Sequence, residues 1–231
     1  MIYKTKINQN NFKTMRKSDM KQGIIFDMDG TLWDSAENVA KSWNIAIEES
    51  GLTKKTLTGA DIQSVMGKTM DVIADILFSE LPKEQRMQLL DACCKRENEY
   101  LRKHGGILYP KLEETLAVLK DNYLLYIVSN CQKGYIEAFL DYYQFWDYFT
   151  DIECYGNNLL SKGENIRLLA DRNQLDEAVY VGDILGDYDA SRLAGIGFIH
   201  AAYGFGTICD PVPEVSTFAK LPEVVEKYFD K

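Results

Sequence analysis

The stretch GIIFDMDGTLWDS, residues 23–35, runs the apolar residues Ile24, Ile25 and Phe26 directly into Asp27 and Asp29, then Gly30 and Thr31. Carboxylates this close repel each other, and at the edge of a core they are also partly desolvated. Nothing structural requires two acids at the end of a strand. The segment therefore reads as a buried strand that delivers two carboxylates to one rim, where something must offset their charge.

Downstream, short apolar runs alternate with helical patterns. The runs YLLYIVS (123–129), IEC (152–154), AVYVG (178–182) and GFIHA (197–201) read as strands, mostly apolar without alternation, as strands covered on both faces are. Helices are expected at 111–121, 133–143, 162–172, 186–194 and near 221–229. This alternation predicts an α/β fold, a Rossmann-like, doubly wound parallel sheet with right-handed crossovers. Residues 35–106 break the rhythm and contain helical patterns with no convincing strand. The apolar stripes there are Val39, Trp43, Ala46 and Ile47, then Ile73, Ile76 and Leu77, then Met87, Leu90, Cys94 and Leu101 behind Pro82. Gly51 and the Gly105-Gly106 pair read as helix stops. The expected organisation is an N-terminal extension at 1–20, a catalytic core at 21–34 and 107–231, and an all-helical cap at 35–106 joined by linkers near 34 and 107. The polar segment 1–20 has no apolar run of the secretory type and reads as a loosely held extension, with Met20 as a candidate initiator.

In open parallel sheets, ligands bind beyond the carboxyl ends of the strands. The polar residues there are Asp27, Asp29, Gly30 and Thr31 after the first strand, Ser129 and Asn130 after the second, and Asp183 and Asp187 after AVYVG. Lys162 opens the preceding helix. Converging carboxylates call for a hard cation, and Mg²⁺ suits a site that mixes carboxylate, phosphate oxygen and water. Asp183 and Asp187, at i and i+4, are expected to share a helix face, where like charges are unfavourable unless a cation joins them. Ser129 and Lys162 suit the remaining oxygens of a phosphoryl group. Gly30 permits close backbone approach, and loop N–H groups there can cradle anionic oxygens. One aspartate can act as a nucleophile and the other as an acid and then a base. Each piece also has a structural reading. Asp183, Ser129 and Asn130 could cap helices, and Ser161-x-x-Glu164 spells a capping box with Lys162 at the first helical position. A lysine there faces the unfavourable end of the helix dipole, so its placement needs another cause, and a bound anion supplies one.

These four segments, DMDGT (27–31), SN (129–130), Lys162 and GDILGD (182–187), resemble the four motifs of the haloacid dehalogenase superfamily. The likeness spans 23 to about 206 and is similar to the subfamily with a helical C1 cap, which includes phosphoglycolate-phosphatase-like and β-phosphoglucomutase-like members. It implies that Asp27 is nucleophile and metal ligand, and that Asp29 is the acid/base and gives its main-chain carbonyl to Mg²⁺. It further implies that Asp183 ligates the metal, with Asp187 supporting it directly or through water. Ser129 and Lys162, with Gly30, Thr31 and Asn130, would hold phosphate, and Lys162 would screen Asp27.

Asp29 points to phosphoryl transfer, because dehalogenases and phosphonate-cleaving members of the superfamily lack the second aspartate. Thr31 resembles phosphatases more than sugar-phosphate mutases. The segment VMGKTMD (65–71) resembles a cap specificity loop, with Gly67 and Lys68 facing the substrate, but lacks the arginine with which mutases hold a second phosphate. Lys68 could stand in for that arginine or be an ordinary solvated lysine, and the solvated reading is preferred. YGFG (203–206) resembles a loop of phosphoglycolate-phosphatase-like members and reads equally as a glycine-rich turn. The expected function is a Mg²⁺-dependent phosphatase acting on a small phosphorylated metabolite through a phospho-aspartate. A phosphotransferase or mutase is the alternative, and a silent binding protein the third reading.

Composition narrows the partners. With 46% apolar and 26% charged residues, the 231-residue chain can bury a sizeable core, and its net charge of −9 disfavours nucleic acid and anionic membranes. The five cysteines show no CxxC spacing and read as buried or half-buried free thiols in a reducing cytoplasm. His104 and His200 read as capping or core-edge residues. A monomer or weak homodimer is expected.

Overall fold

The computed structural model describes residues 20–230, so all but the last residue of the expected extension at 1–20 lies outside the described residues. Among the described residues, no helix is long and apolar enough to cross a membrane.

Six strands form one parallel sheet: β1 (Gln22–Phe26), β4 (Leu124–Ser129), β5 (Asp151–Cys154), β6 (Glu177–Gly182), β7 (Gly197–Ala201) and β8 (Glu214–Val215), in the order β5-β4-β1-β6-β7-β8. The chain builds outward from β1 through β4 to β5, then crosses back to lay β6 on the other side of β1. β1 therefore lies at the point where the winding reverses, which is where open sheets form ligand crevices.

The apolar strand runs are explained by a core on each face. Ile24 and Phe26 of β1, Leu125 and Ile127 of β4, and Val179 and Val181 of β6 point into one core, with α5 (Leu112–Lys120), α6 (Tyr135–Tyr143) and α10 (Leu221–Phe229) packed over them. The intervening Ile25, Tyr126, Val128 and Tyr180 point into the other, under α8 (Lys162–Arg172) and α9 (Leu185–Ala194). Because both faces are covered, the period-2 signal vanishes from the sequence. One four-residue helix, α7 (Tyr155–Asn158), follows β5.

The segment 35–106 carries α1 (Ala36–Ser50), α2 (Gly59–Gln63), α3 (Met70–Leu77) and α4 (Lys83–His104). Gly51 ends α1 with φ at +63°. The first stripe is buried as expected, but the others are rotated. In α3 Ile73, Ala74 and Leu77 face inward while Ile76 is exposed. In α4 the buried line is Leu89, Leu90, Cys93, Glu97 and Leu101, and Cys94 and Met87 are only half-buried. A glutamate thus occupies an inward position that an apolar count passes over.

The two linkers near 34 and 107 pair with each other. β2 (Trp33–Asp34) and β3 (Ile107–Leu108) form a short antiparallel ribbon at the entrance and exit of the helical segment. Trp33 anchors it, edge-on to Tyr135 and Phe139 of α6. The cysteines are free, with Cys93, Cys131 and Cys154 buried and Cys209 exposed.

Candidate active site

Asp27 follows β1 immediately, and its main-chain N–H donates to Val181 O at 2.9 Å, extending the β1–β6 pairing by one residue. Asp183 follows β6, so the parallel register brings the two acids to the same sheet edge. Oxygens of Asp27, Asp183 and Asp187 lie within 4.8 Å of one another, and all three residues are buried. Lys162 reaches in from the first residue of α8. Its ammonium lies 2.9 Å from Asp27 Oδ1 and 2.6 Å from Asp187 Oδ1. The capping box of Ser161 and Glu164 is present and fixes where α8 starts, and hence where the lysine enters.

Asp183 and Asp187 do not share a helix face. α9 begins only at Leu185, so Asp183 precedes it and Asp187 stands in its first turn. Asp187 Oδ2 accepts the N–H groups of Asp183 (3.0 Å) and Ile184 (3.2 Å), while Oδ1 takes the lysine. Both oxygens of Asp187 are thus engaged in positioning. Asp183 Oδ2 accepts Phe205 N–H at 2.7 Å, and Oδ1 is buried without a partner. A carboxylate oxygen with no donor, beside two other acids and one ammonium, makes a donor set that a hard divalent cation fits.

One ammonium cannot balance three carboxylates. Burial and the neighbouring Asp187 and Asp27 push Asp183 up to about 8. Burial likewise raises Asp27, with Lys162 pulling the other way. Burial opposes the charge on Lys162, but Asp187 and Asp27 outweigh it and hold its ammonium above the ordinary lysine range. These shifts set the sign of a stability profile. Between pH about 4 and 8 the folded metal-free protein keeps protons on Asp27 and Asp183 that the unfolded chain has lost, so its stability falls as pH rises. The melting temperature in EDTA is expected to decline from pH 5 to 8, and a divalent cation to flatten that decline. A profile without that decline would contradict the crowding.

Asp29 is held separately. Ser35 Oγ donates to its Oδ1 at 2.7 Å, and Tyr135 Oη donates to Oδ1 at 2.7 Å and reaches Oδ2 at 2.9 Å. Burial pushes Asp29 up to about 6 against the pull of these two donors. That places it in the range of an acid/base near neutrality.

Two glycines permit the approach of these loops. Gly30 has φ at +84°, and a Cβ there would lie 2.1 Å from Asp183 Oδ2. Gly30→Ala is expected to cost about 1–3 kcal/mol through strain and displacement of Asp183, read as a lower urea midpoint and weaker divalent-cation binding by calorimetry. Gly204 is equally tight, since a Cβ would lie 2.3 Å from Asp183 Cβ and 2.4 Å from Gly30 O. The turn YGFG therefore does more than reverse the chain. Its Phe205 N–H holds Asp183, and its Tyr203 hydroxyl donates to Thr31 O at 2.9 Å.

Ser129 ends β4 and Asn130 follows it on the same rim. A cavity of about 50 Å³ opens between the helical segment and the sheet, touching Asp27, Asp29, Ser129 and Asn130. Gly67 and Lys68, on the loop between α2 and α3, line it from the other side. The Asn130 amide donates to Gly67 O at 2.8 Å, so in this arrangement it fastens the loop over the sheet. Thr31 is fully buried, and its Oγ1 has no partner. Lys68 is exposed.

A model of the family described as haloacid dehalogenase-like hydrolase matches residues 24–201. The chain belongs to that family. Among curated relatives of this hydrolase, phosphoglycolate phosphatase of Aliivibrio fischeri is 27% identical over 215 residues, covering 83% of this chain and 90% of the relative. Phosphoglycolate phosphatase of Yersinia pseudotuberculosis is 28% identical over 193 residues, covering 80% and 82%. Among solved structures, a haloacid dehalogenase-like family hydrolase of Streptococcus pneumoniae superposes with a TM-score of 0.74 at 21% identity, covering 90% of this chain and 98% of that one. A 2-haloacid dehalogenase of Pseudomonas syringae superposes with a TM-score of 0.64 at 19% identity, covering 90% and 100%. The shared fold thus hosts more than one reaction, and the choice among them rests on this hydrolase's own residues.

Two positioning elements, Tyr135 and the main chain of Phe205, and one cavity-lining acid, Glu97, escaped the sequence reading. Tyr135 lies 106 positions from its partner Asp29, and only the fold brings them together.

Proposed function

We propose that this hydrolase is a Mg²⁺-dependent phosphatase that cleaves small phosphomonoesters through a phosphorylated Asp27. The observation that carries the reading is the pair of aspartates on one cavity. Asp27 is tied to Lys162, and Asp29 is independently held by Ser35 and Tyr135 as a proton carrier. A carbon–halogen cleavage has no leaving group that needs a proton, whereas an alkoxide does. The relatives named phosphoglycolate phosphatase support the same class.

In the first step Asp27 attacks phosphorus, and the bond from phosphorus to the alcohol oxygen breaks. The departing oxygen takes the proton from Asp29. In the second step Asp29, now a base, removes a proton from water as that water attacks phospho-Asp27, releasing phosphate and restoring both carboxyl groups. Lys162 and Ser129 orient the phosphoryl oxygens. Asp27, Asp183 and the Asp29 carbonyl would hold Mg²⁺, with Asp187 in support, and the bound ion would supply positive charge beside the transferring group. The segment 35–106 serves as a cap that shields the reaction from bulk water.

The test is hydrolysis of an aryl phosphate. Turnover is expected with Mg²⁺, to cease with EDTA and to return when Mg²⁺ is restored. Undiminished turnover in EDTA would refute the metal assignment, and halide release from a 2-haloacid without phosphate release from the ester would refute the phosphatase.

A further inference from the structure

Glu97 of α4 is only 4% exposed and lines the same cavity as Asp27, Asp29 and Ser129. Trp43 Nε1 donates to its Oε2 at 2.5 Å, and the side chain of Gln132 donates to it as well. Gln132 is itself held by Asn98 Oδ1 at 3.1 Å. Among the described residues, no lysine, arginine or histidine pairs with Glu97. A buried carboxyl with no cation is costly, and a shell that needed only to fill space would hold an apolar side chain there. The neighbouring wall is apolar, built from Trp43, Ile62, Val65 and Ile73. Glu97 is thus a polar point on a wall facing the reacting aspartates.

Resting on the phosphatase reading, we propose that Glu97 selects the leaving group. The site takes phosphomonoesters whose alcohol carries a hydrogen-bond donor, a hydroxyl or an ammonium, and disfavours those whose alcohol carries a carboxylate. A donor meets the lone pairs that Trp43 and Gln132 leave free. A carboxylate would bring a second acid into the same apolar space. Burial, opposed by the Trp43 and Gln132 donors and reinforced by Asp29, pushes Glu97 up to about 8, so an ammonium beside it would draw it into its anionic form, whereas a carboxylate would raise it further. By this criterion the chain departs from the substrate named for its phosphoglycolate phosphatase relatives.

The experiment compares kcat/KM for glycerol 3-phosphate, phosphoethanolamine and 2-phosphoglycolate with Mg²⁺, using the full chain and Glu97→Gln, with p-nitrophenyl phosphate as reference. The wild type is expected to favour the better of the first two over 2-phosphoglycolate by at least about tenfold, and the winner tells hydroxyl from ammonium. In Glu97→Gln the amide carbonyl can keep the bond from Trp43, while an NH₂ donor replaces the other carboxyl oxygen and the side chain can no longer become an anion. That variant is expected to lose phosphoethanolamine and gain 2-phosphoglycolate, shrinking the ratio at least about tenfold. A wild-type preference for 2-phosphoglycolate would overturn the proposal. So would an equal loss on all three substrates in Glu97→Gln, or a Lys68→Ala variant that alone reverses the ranking. Failure to hydrolyse even p-nitrophenyl phosphate would instead sink the phosphatase reading, and this proposal with it.

Discussion

Asp27→Asn is expected to reduce kcat by at least about 10⁴-fold, the scale of loss when a covalent nucleophile is removed, while the protein remains folded. The amide is nearly isosteric with the carboxyl, so packing is unchanged, but it offers no anionic oxygen to attack phosphorus. The stability change has the less usual sign. Asp27 is one of three buried acids sharing one ammonium, and burial already works against its charge. Lys162 also lies 2.6 Å from Asp187 Oδ1, a partner that the substitution leaves in place. The metal-free variant at pH 8 is therefore expected to be as stable as wild type or more so, because it relieves repulsion that the reaction requires. Urea titration in EDTA alongside steady-state kinetics separates the two effects. A variant that turns over at more than a few per cent of wild type would remove Asp27 from the chemistry.

Lys162→Met should fail in the opposite way. The methionine fills most of the space but leaves Asp27, Asp183 and Asp187 buried with no protein cation. Breaking a buried pair by removing one partner typically costs about 3–5 kcal/mol, and that loss is expected in EDTA at pH 8. At pH 5 the loss should shrink, because Asp183, raised to about 8, and Asp27, also raised, then carry protons. Turnover should drop by about 10²–10³-fold, the scale for one electrostatic contact to a transferring group. A pH-independent stability loss would mean that Lys162 matters for packing and not for charge.

The sheet was legible because its strands are apolar on both faces and end in acids. Ile24 to Asp27 and Val179 to Asp183 each announce a buried strand meeting a polar rim, and parallel register then brings their ends together. The start of α8 was legible too, since Ser161 and Glu164 cap it by local chemistry. What stayed hidden depends on tertiary geometry. The ribbon of Trp33–Asp34 with Ile107–Leu108 and the strand Glu214–Val215 are two residues long each, too short for any period. Tyr135 reads as one more aromatic on an amphipathic helix until the fold sets its hydroxyl 2.7 Å from Asp29. Glu97 interrupts the apolar stripe of Met87, Leu90, Cys94 and Leu101 with an acid. A buried acid in register with Leu90, Cys93 and Leu101 was the available signal.

Trapping the enzyme during turnover goes straight to the covalent step. The protein is mixed with excess aryl phosphate and Mg²⁺, quenched in acid within milliseconds, digested and mapped by mass spectrometry. A single phosphoryl adduct on Asp27, formed and discharged at rates that account for kcat and missing from Asp27→Asn, is the predicted result. Rapid phosphate release with no adduct at any quench time, or an adduct on another side chain that turns over at kcat, would contradict it.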